Sequence, residues 1–274
     1  MNIFSGRIPL KDYLNKSDNN KADKSNKTII NFIKKYKYLF LIIIIAVTLS
    51  AGVWFYTNTY HPMEIATKTL QQEDVYINEY DWLICEAPQK TNRGFIFYPG
   101  GNVEPEAYLP LANKIADLGF KTVIIPMPFN LAVFNSDAAL EAFNNFSNIT
   151  DWYICGHSLG GVMAAKFAGL HTHKIKGFIL MAAYPQESKD LSRTGLPVLS
   201  ITASNDNILD HKKYEARKKL LPELTQYVEI KGGNHSQFGW YGFQKGDGQA
   251  TITRNEQLNK VTKHIKDFTE QLPH

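Results

Sequence analysis

A glycine-flanked serine lies between an apolar run and an alanine-rich stretch in the segment DWYICGHSLGGVMAAKFAG, residues 151–169. The apolar residues before the serine suit a buried parallel strand, and the residues after it are mostly good helix formers. Gly156 and Gly160 stand two positions before and two positions after Ser158. A sharp turn from strand to helix requires glycine at such positions, because a larger side chain would collide with the strand or the helix. The segment therefore predicts an elbow that exposes Ser158.

Short apolar runs alternate with helical stretches along the chain from Val75 onward. Strands are predicted near residues 75–86, 94–98, 121–126, 152–157, 176–182, 197–203 and 226–230, and helices near residues 105–118, 136–146, 160–170, 211–221 and 255–271. This alternation indicates an α/β fold with a mostly parallel sheet and helices on both faces. Ligands of such sheets bind beyond the carboxyl ends of the strands, which is where the elbow would lie.

An exposed serine becomes a nucleophile only with a base to take its proton and an acid to orient that base. In this type of fold the chain order is serine, acid, histidine. Asp206 ends the predicted strand LPVLSITASND, and His235 follows the strand QYVEIKGGNHSQFG. Taken alone, Asp206 also fits a loop-capping role and His235 a surface position. Because they follow Ser158 in the order acid, then histidine, Asp206 is our candidate for the acid and His235 our candidate for the base.

Two neighbouring residues are assigned other roles. Asp210 precedes HKKYEARKKL and is expected to cap that helix. His157 lies inside the elbow, and we expect its ring to pack rather than to transfer protons.

The negative charge that develops on an attacked carbonyl oxygen needs backbone N–H donors. One predicted donor is the N–H of Leu159, at the positive end of the helix that follows the serine. The second should come from the loop within GFIFYPGGNVEPEAY, where glycines let the main chain approach a substrate. We expect this donor to be the N–H of Gly101, with Asn102 as the alternative.

Several segments together resemble the α/β-hydrolase superfamily, and specifically its small bacterial serine hydrolases of unassigned substrate. These segments are YPGGNVEPEAYLPLANKIADLGF, NLAVFN, GHSLGGVMAAKFA and GGNHSQFGWYGFQKGDGQATITRNEQ. The resemblance implies Ser158 as nucleophile, Asp206 as acid and His235 as base, and it implies no particular substrate. Pro99 and Gly100 replace the usual His-Gly opening of the oxyanion loop.

Many members of this superfamily insert a cap domain after the strand that follows the nucleophile helix. Here only PQESKDLSRTGL is available, which is too short for a domain, so we expect no cap domain and an open pocket. The residues predicted to line the pocket are Met127, Phe129, Tyr184, Phe238 and Trp240.

The charge distribution argues against a nucleic-acid partner. Residues 1–37 carry nine Lys and Arg against three Asp, whereas the remainder carries 21 basic and 23 acidic residues. The basic excess thus belongs to the N-terminal segment and leaves no basic face on the folded part. His171 and His173 have no third metal ligand at a usual spacing, so we expect no metal and no other cofactor. Cys85 and Cys155 lie in apolar strand-like runs and are expected to be buried thiols.

The run YLFLIIIIAVTLSAGVWFY, residues 38–56, has no formal charge. As a helix it would be roughly 28 Å long, close to the ~30 Å thickness of a membrane's hydrocarbon core. An apolar run without a polar face is unusual in a soluble domain. We therefore expect one transmembrane anchor at residues 38–56.

Lysines stand directly before this run, at Lys34, Lys35 and Lys37, and the first charge after it is Glu64. The positive-inside rule then predicts a cytoplasmic N-terminus and an extracytoplasmic domain at the cell membrane. Cleavage as a signal peptide, after Ala51, is the alternative.

These patterns divide the chain into four parts. We expect a disordered basic tail at residues 1–37, the anchor, a linker at residues 57–72 and an α/β-hydrolase domain at residues 73–274. The predicted function is cleavage of a carboxylic ester through an acyl-enzyme, with an ester, small or lipid-like, as substrate. Amide or thioester cleavage, acyl transfer and a non-catalytic binding module on the same fold are the alternatives.

Overall fold

The computed structural model describes the backbone of residues 10–272 and the side chains of residues 26–272. The chain divides into two compact units, with the boundary between Asn58 and Thr59.

The N-terminal unit contains one long helix, α1 (Leu10–Asn58). Its part Asn26–Asn58 is long and apolar enough to cross a membrane, and the most apolar window of that part has no buried residue. Residues 10–37 are helical where the sequence predicts a disordered tail, while residues 1–9 lie outside the described part. Extending a helix gains one hydrogen bond per residue without a new nucleation step, so an apolar helix can continue into a polar segment.

The second unit is built on a sheet of eight strands. They are β1 (Val75–Ile77), β2 (Leu83–Cys85), β3 (Arg93–Tyr98), β4 (Lys121–Ile124), β5 (Asp151–His157), β6 (Gly177–Met181), β7 (Val198–Ala203) and β8 (Gln226–Ile230). Their order in the sheet is β1-β2-β4-β3-β5-β6-β7-β8. The pairs β1/β2 and β2/β4 are antiparallel, and all other neighbours are parallel.

Helices cover both faces of this sheet. They are α2 (Glu64–Thr69), α3 (Leu109–Ala116), α4 (Ala139–Asn145), α5 (Leu159–Leu170), α6 (His211–Arg217) and α7 (Arg254–Glu270). Successive side chains of a strand point to opposite faces. Accordingly, Phe95 and Phe97 of β3 belong to one core with α3 and α7. Ile96 and Tyr98 belong to a second core with α4 and α5. This is the fold class that the sequence predicts.

Two predicted segments differ from the structure. The single strand expected at residues 75–86 is a hairpin of β1 and β2, which turns at Asp81 with a left-handed φ of 61°. The linker expected at residues 57–72 is divided: residues 57–58 end α1, and residues 59–72 belong to the second unit, where α2 buries Ala66 completely in the core. The Tyr60 N–H also donates to the Asn102 carbonyl at 2.7 Å. These partners are distant in sequence, so a local pattern could not indicate them.

Candidate active site

The turn between β5 and α5 places Ser158 in a strained backbone conformation, with φ 51° and ψ −121°. The glycines beside it are required by packing. A Cβ on Gly156 would lie 2.4 Å from the Gly160 carbonyl group, and a Cβ on Gly160 would lie 2.2 Å from the backbone carbonyl oxygen of Tyr98. Strain of this kind costs on the order of 1–3 kcal/mol and persists where the surrounding structure holds it. Ser158 is thus presented at the carboxyl end of β5, half-buried.

A buried carboxylate and imidazole lie beyond two further strands. Asp206 follows β7 and His235 follows β8, and each is only 1% exposed. His235 Nδ1 and Asp206 Oδ2 are 2.8 Å apart. The carboxylate accepts this bond, so the imidazole carries its proton on Nδ1 and its Nε2 lone pair is available. Among the described residues, no group hydrogen-bonds to that Nε2 atom.

The second oxygen of Asp206 is held by the backbone. Oδ1 accepts from the N–H groups of Ile208 at 2.9 Å and Leu209 at 2.8 Å. Asp210 has a different environment. It is the N-cap of α6, and its carboxylate accepts from the Lys213 N–H at 3.0 Å and pairs with the Lys213 ammonium. The two acids that follow β7 therefore have different structural roles, and only Asp206 contacts the histidine.

Ser158 and His235 line the same cavity, which has a volume of about 210 Å³. Leu159, Val162, Tyr184, Ile208 and Leu209 form most of its apolar wall, and Asp210 also lines it. The structure therefore brings the three sequence-predicted polar residues to one end of the sheet, with the serine and histidine facing a common space.

The loop after β3 contributes the backbone groups beside this cavity. Three consecutive residues of this loop, Gly100, Gly101 and Asn102, have backbone N–H groups that could face a substrate. Two of these groups are already bonded within the protein: the Gly100 N–H donates to the Tyr108 hydroxyl at 3.0 Å, and the Asn102 N–H donates to the Asn130 carbonyl at 2.9 Å. Between them, Gly101 lies against Leu159, since a Cβ on Gly101 would be 3.0 Å from the Leu159 side chain. Within the described part of the chain, the Gly101 N–H has no backbone acceptor. The bond from Asn102 leaves Gly101 as the better candidate for an oxyanion donor.

Of the five residues predicted as pocket walls, Tyr184 lines the cavity that contains Ser158. Met127, Phe238 and Trp240 are 5%, 3% and 8% exposed and pack in the cores. Phe129 is 69% exposed. These four are not among the residues that line this cavity. Aromatic residues near a strand end serve the core equally well, so their type alone does not distinguish a core position from a pocket wall.

Asp247 is a residue of this region that the sequence reasoning missed. Its Oδ2 accepts from the Ser236 N–H at 2.8 Å and from the Ser236 hydroxyl at 2.6 Å. Its Oδ1 accepts from the N–H groups of Gly248 at 2.8 Å, Asn207 at 3.3 Å and His235 at 3.4 Å. One buried carboxylate thus joins the loop of the candidate acid to the loop of the candidate base. The available signal was the acidic residue between two glycines in QKGDGQ.

Arg254 also holds the loop that carries His235. Its guanidinium donates to the carbonyl oxygens of Ser236 and Gly239, and to that of Gly242 at 3.0 Å. A planar guanidinium with several donors suits this role, because it can bind several carbonyls of one loop at once. The loop that carries His235 is therefore held by two side chains, the Asp247 carboxylate and the Arg254 guanidinium.

Comparison with known proteins identifies the family. Residues 94–259, more than half of the chain, match the model of the alpha/beta hydrolase family. The chain belongs to the alpha/beta hydrolase family. Among curated proteins, none matches the chain by sequence.

Solved structures with the same fold include esterases and a phospholipase. Est1E from Butyrivibrio proteoclasticus is 15% identical with a TM-score of 0.52, over 69% of this chain and 93% of that one. Carboxylesterase CesB from Bacillus subtilis is 11% identical with a TM-score of 0.55, over 80% and 98%. A membrane phospholipase A, described as a bacterial virulence factor, is 12% identical with a TM-score of 0.56, over 85% and 98%. At these identities the likeness concerns the fold.

Proposed function

We propose that the protein is a serine hydrolase that cleaves a carboxylic ester through an acyl-enzyme. In this proposal Ser158 is the nucleophile, His235 the general base and Asp206 the acid that orients the histidine. The observation that carries the proposal is the buried bond of 2.8 Å between His235 Nδ1 and Asp206 Oδ2. It leaves Nε2 as the only basic atom of the ring, in a histidine that shares a cavity with a serine on a strained elbow.

The first half of the reaction forms the acyl-enzyme. Ser158 Oγ attacks the carbonyl carbon of the ester, and its proton passes to His235 Nε2. The Asp206 carboxylate stabilises the imidazolium that results. The N–H groups of Leu159 and Gly101 donate to the oxyanion of the tetrahedral intermediate. When the intermediate collapses, the bond to the leaving alkoxide breaks and Nε2–H protonates that oxygen, which releases the alcohol.

The second half repeats this chemistry with water. Water attacks the carbonyl carbon of the acyl-enzyme while His235 Nε2 takes one of its protons. The bond to Ser158 Oγ then breaks, the serine regains its proton from the histidine, and the carboxylic acid leaves. Every proton transfer in this cycle uses His235, so the proposed reaction requires no metal and no other cofactor.

An assay of the full chain with matched substrates tests this function. A p-nitrophenyl ester, the corresponding anilide and the corresponding thioester share one acyl group and differ in the bond that is cleaved. We expect the ester to be hydrolysed with the highest kcat/KM, and Ser158→Ala to abolish this activity. Ser147→Ala, at an exposed serine, is the matched control and should have wild-type rates. A faster reaction with the anilide or thioester would overturn the choice of ester.

We propose further that the apolar part of α1 anchors the protein in the cell membrane, with the N-terminus in the cytoplasm and the hydrolase domain outside. Support comes from the apolar segment of Asn26–Asn58 and from Lys34, Lys35 and Lys37 before its most apolar part.

Protease treatment of intact cells tests this topology. Protease added outside should digest the hydrolase domain and leave a tag at residue 1 protected. Protection of the domain with digestion of the tag would reverse the orientation. Release of an intact domain into the medium would instead indicate cleavage of the segment as a signal peptide.

A further inference from the structure

Gly100, at the start of the oxyanion loop, is packed directly against two buried side chains. Its N–H donates to the Tyr108 hydroxyl at 3.0 Å. A Cβ on Gly100 would lie 2.7 Å from the Tyr108 oxygen and 2.9 Å from His157 Nδ1. Tyr108 is completely buried, so its hydroxyl cannot exchange these partners for water. The conformation of the loop is therefore coupled to the position of one hydroxyl group.

That hydroxyl also bonds to His157, since Tyr108 Oη and His157 Nδ1 are 2.9 Å apart. Among the described residues, the hydroxyl has only these two partners, and the Gly100 N–H cannot accept, so the hydroxyl proton points to His157 Nδ1. The result is a directed chain from the Gly100 amide through the Tyr108 hydroxyl to the His157 imidazole. It requires an unprotonated Nδ1, which a neutral imidazole provides. Burial and the neighbouring His235 hold the pKa of His157 well below its usual value, which keeps the imidazole neutral.

His157 connects this chain to the other parts of the proposed machinery. It directly precedes Ser158, and its ring centroid lies 4.5 Å from that of His235. Its ring also packs against Phe238, at 5.4 Å between ring centroids. A neutral ring in this place supports the His235 imidazole without repelling the positive charge that the base acquires during the reaction.

We propose that Tyr108 and His157 are positioning residues, which orient the oxyanion loop so that the Gly101 N–H points at the developing oxyanion and which support the ring of His235. This inference rests on the proposed ester hydrolysis. Neither residue contacts the substrate, and both act through the Gly100 to Gly101 backbone and the packing of the base.

Tyr108→Phe in the full chain tests the proposal, with an ester and its thionoester as paired substrates. Sulfur accepts hydrogen bonds more weakly than oxygen. A thionoester therefore gains little from oxyanion donors even in the wild type. We expect Tyr108→Phe to lower kcat for the ester about 10- to 100-fold and kcat for the thionoester less than about threefold, with KM nearly unchanged. The ratio of the two rates should therefore decrease, whereas general damage to the protein would lower both rates equally.

Tyr98→Phe is the matched control. The Tyr98 hydroxyl is equally buried, accepts from the Ala139 N–H at 2.9 Å and donates to the Ser136 carbonyl at 3.0 Å. Its removal deletes the same number of hydrogen bonds and should leave the ester to thionoester ratio unchanged.

A second pair of variants keeps the test decisive if Tyr108→Phe does not fold. His157→Asn retains an acceptor near the position of Nδ1 and should preserve the ratio to within about threefold. His157→Leu removes the acceptor and should reduce the ratio as Tyr108→Phe does. Equal ratios in these two variants would overturn the proposal.

The remaining outcomes separate this inference from the function on which it rests. A wild type that hydrolyses esters, with an unchanged ratio in Tyr108→Phe, overturns the positioning role alone. A wild type without ester hydrolysis, or a Ser158→Ala variant with full activity, overturns the proposed function and this inference with it.

Discussion

The two ends of the sheet carry cavities that differ in size and in chemistry. The larger cavity, of about 420 Å³, lies where β7 and β8 begin, beside Val198 and Gln226. Its lining is mainly apolar, and among the described residues Glu223 is the only titratable one that lines it. The smaller cavity, of about 210 Å³, lies at the opposite ends of the strands and contains Ser158 and His235. We therefore place the proposed reaction in the smaller cavity, because polar groups converge there, and not in the cavity of larger volume.

Backbone strain follows the same division. Within the described residues, six other than glycine have positive φ values, and five of them follow strands at the carboxyl end: Asn102, Phe129, Asn130, Ser158 and Ala182. The sixth, Asp81, lies in the β1 to β2 turn at the same end of the sheet, because Leu83 at the start of β2 pairs with Ile124 at the end of β4. Strained residues concentrate at functional sites, where the rest of the fold supports them. The carboxyl end of the sheet thus combines strained backbone with buried charge, so substitutions there should have larger effects on the rate than substitutions at the other end.

The largest expected effect distinguishes the two acids after β7. Asp206→Asn should lower kcat by roughly 10⁴, because an amide at this position favours the wrong histidine tautomer. Asp210→Asn should change kcat less than about twofold and lower the melting temperature slightly, since asparagine is also a good N-cap. Steady-state kinetics and melting curves of both variants provide the comparison. The opposite ranking of the two kcat values would reassign the acid to Asp210.

Asp247→Asn should have an intermediate effect. The amide nitrogen cannot accept the bonds that the carboxylate receives from Ser236, so the loop that carries His235 should shift. A displacement of about 1 Å can cost 10²-fold in rate, and we expect kcat to decrease about 10- to 100-fold with little change in KM. Asp267→Asn, at an exposed ion pair on α7, is the control and should be neutral. A wild-type kcat in Asp247→Asn would contradict the role of Asp247 in positioning the loop that carries His235.

The sequence predicted the fold because its signals are local. Alternating apolar runs and helical stretches indicated the parallel sheet, and the glycines around Ser158 indicated the elbow, since each pattern spans only a few residues. Asp206 and His235 could be chosen from chain order and strand ends, although their hydrogen bond is between residues far apart in sequence.

The residues that the sequence patterns did not indicate make hydrogen bonds or packing contacts with residues distant in sequence. Asp247 binds backbone groups of two other loops, and Tyr108 bonds to His157 across 49 positions. Ala66 packs into the core from a segment too short to show a helical period. The expected pocket walls at Phe238 and Trp240 belong to the core instead, because aromatic side chains suit both environments.

Enlarging one residue in each cavity compares the two ends directly. Val162→Phe narrows the cavity of Ser158 and should lower kcat/KM for a long-chain ester about tenfold, and less for an acetyl ester. Leu224→Phe, at the larger cavity, should leave both values within about twofold, because Leu224 is 91% exposed and distant from the polar groups. An effect of Leu224→Phe that equals that of Val162→Phe would mean that the larger cavity also takes part in substrate binding.

The smallest expected effect concerns stability and pH. The native pKa of His157 is lowered, so below about pH 6.5 the unfolded chain binds a proton at this residue that the native protein does not. The free energy of unfolding should then decrease, through this residue, by up to about 1.4 kcal/mol per pH unit as the pH falls. His157→Asn lacks this proton, so the stability difference between wild type and variant should narrow between pH 7.5 and pH 5. Urea unfolding of both proteins at pH 7.5 and pH 5 measures this difference in free energy of unfolding. The same difference at both pH values would contradict a buried neutral imidazole at His157.

The central claim is that Ser158 is a nucleophile activated by His235. Mass spectrometry of peptides from the full chain, after reaction with a fluorophosphonate, tests it most directly. The account predicts one modified residue, Ser158, with labelling that is lost in Ser158→Ala and strongly slowed in His235→Ala. Modification of a different serine, equal labelling of Ser158→Ala, or no labelling of the wild type would contradict it.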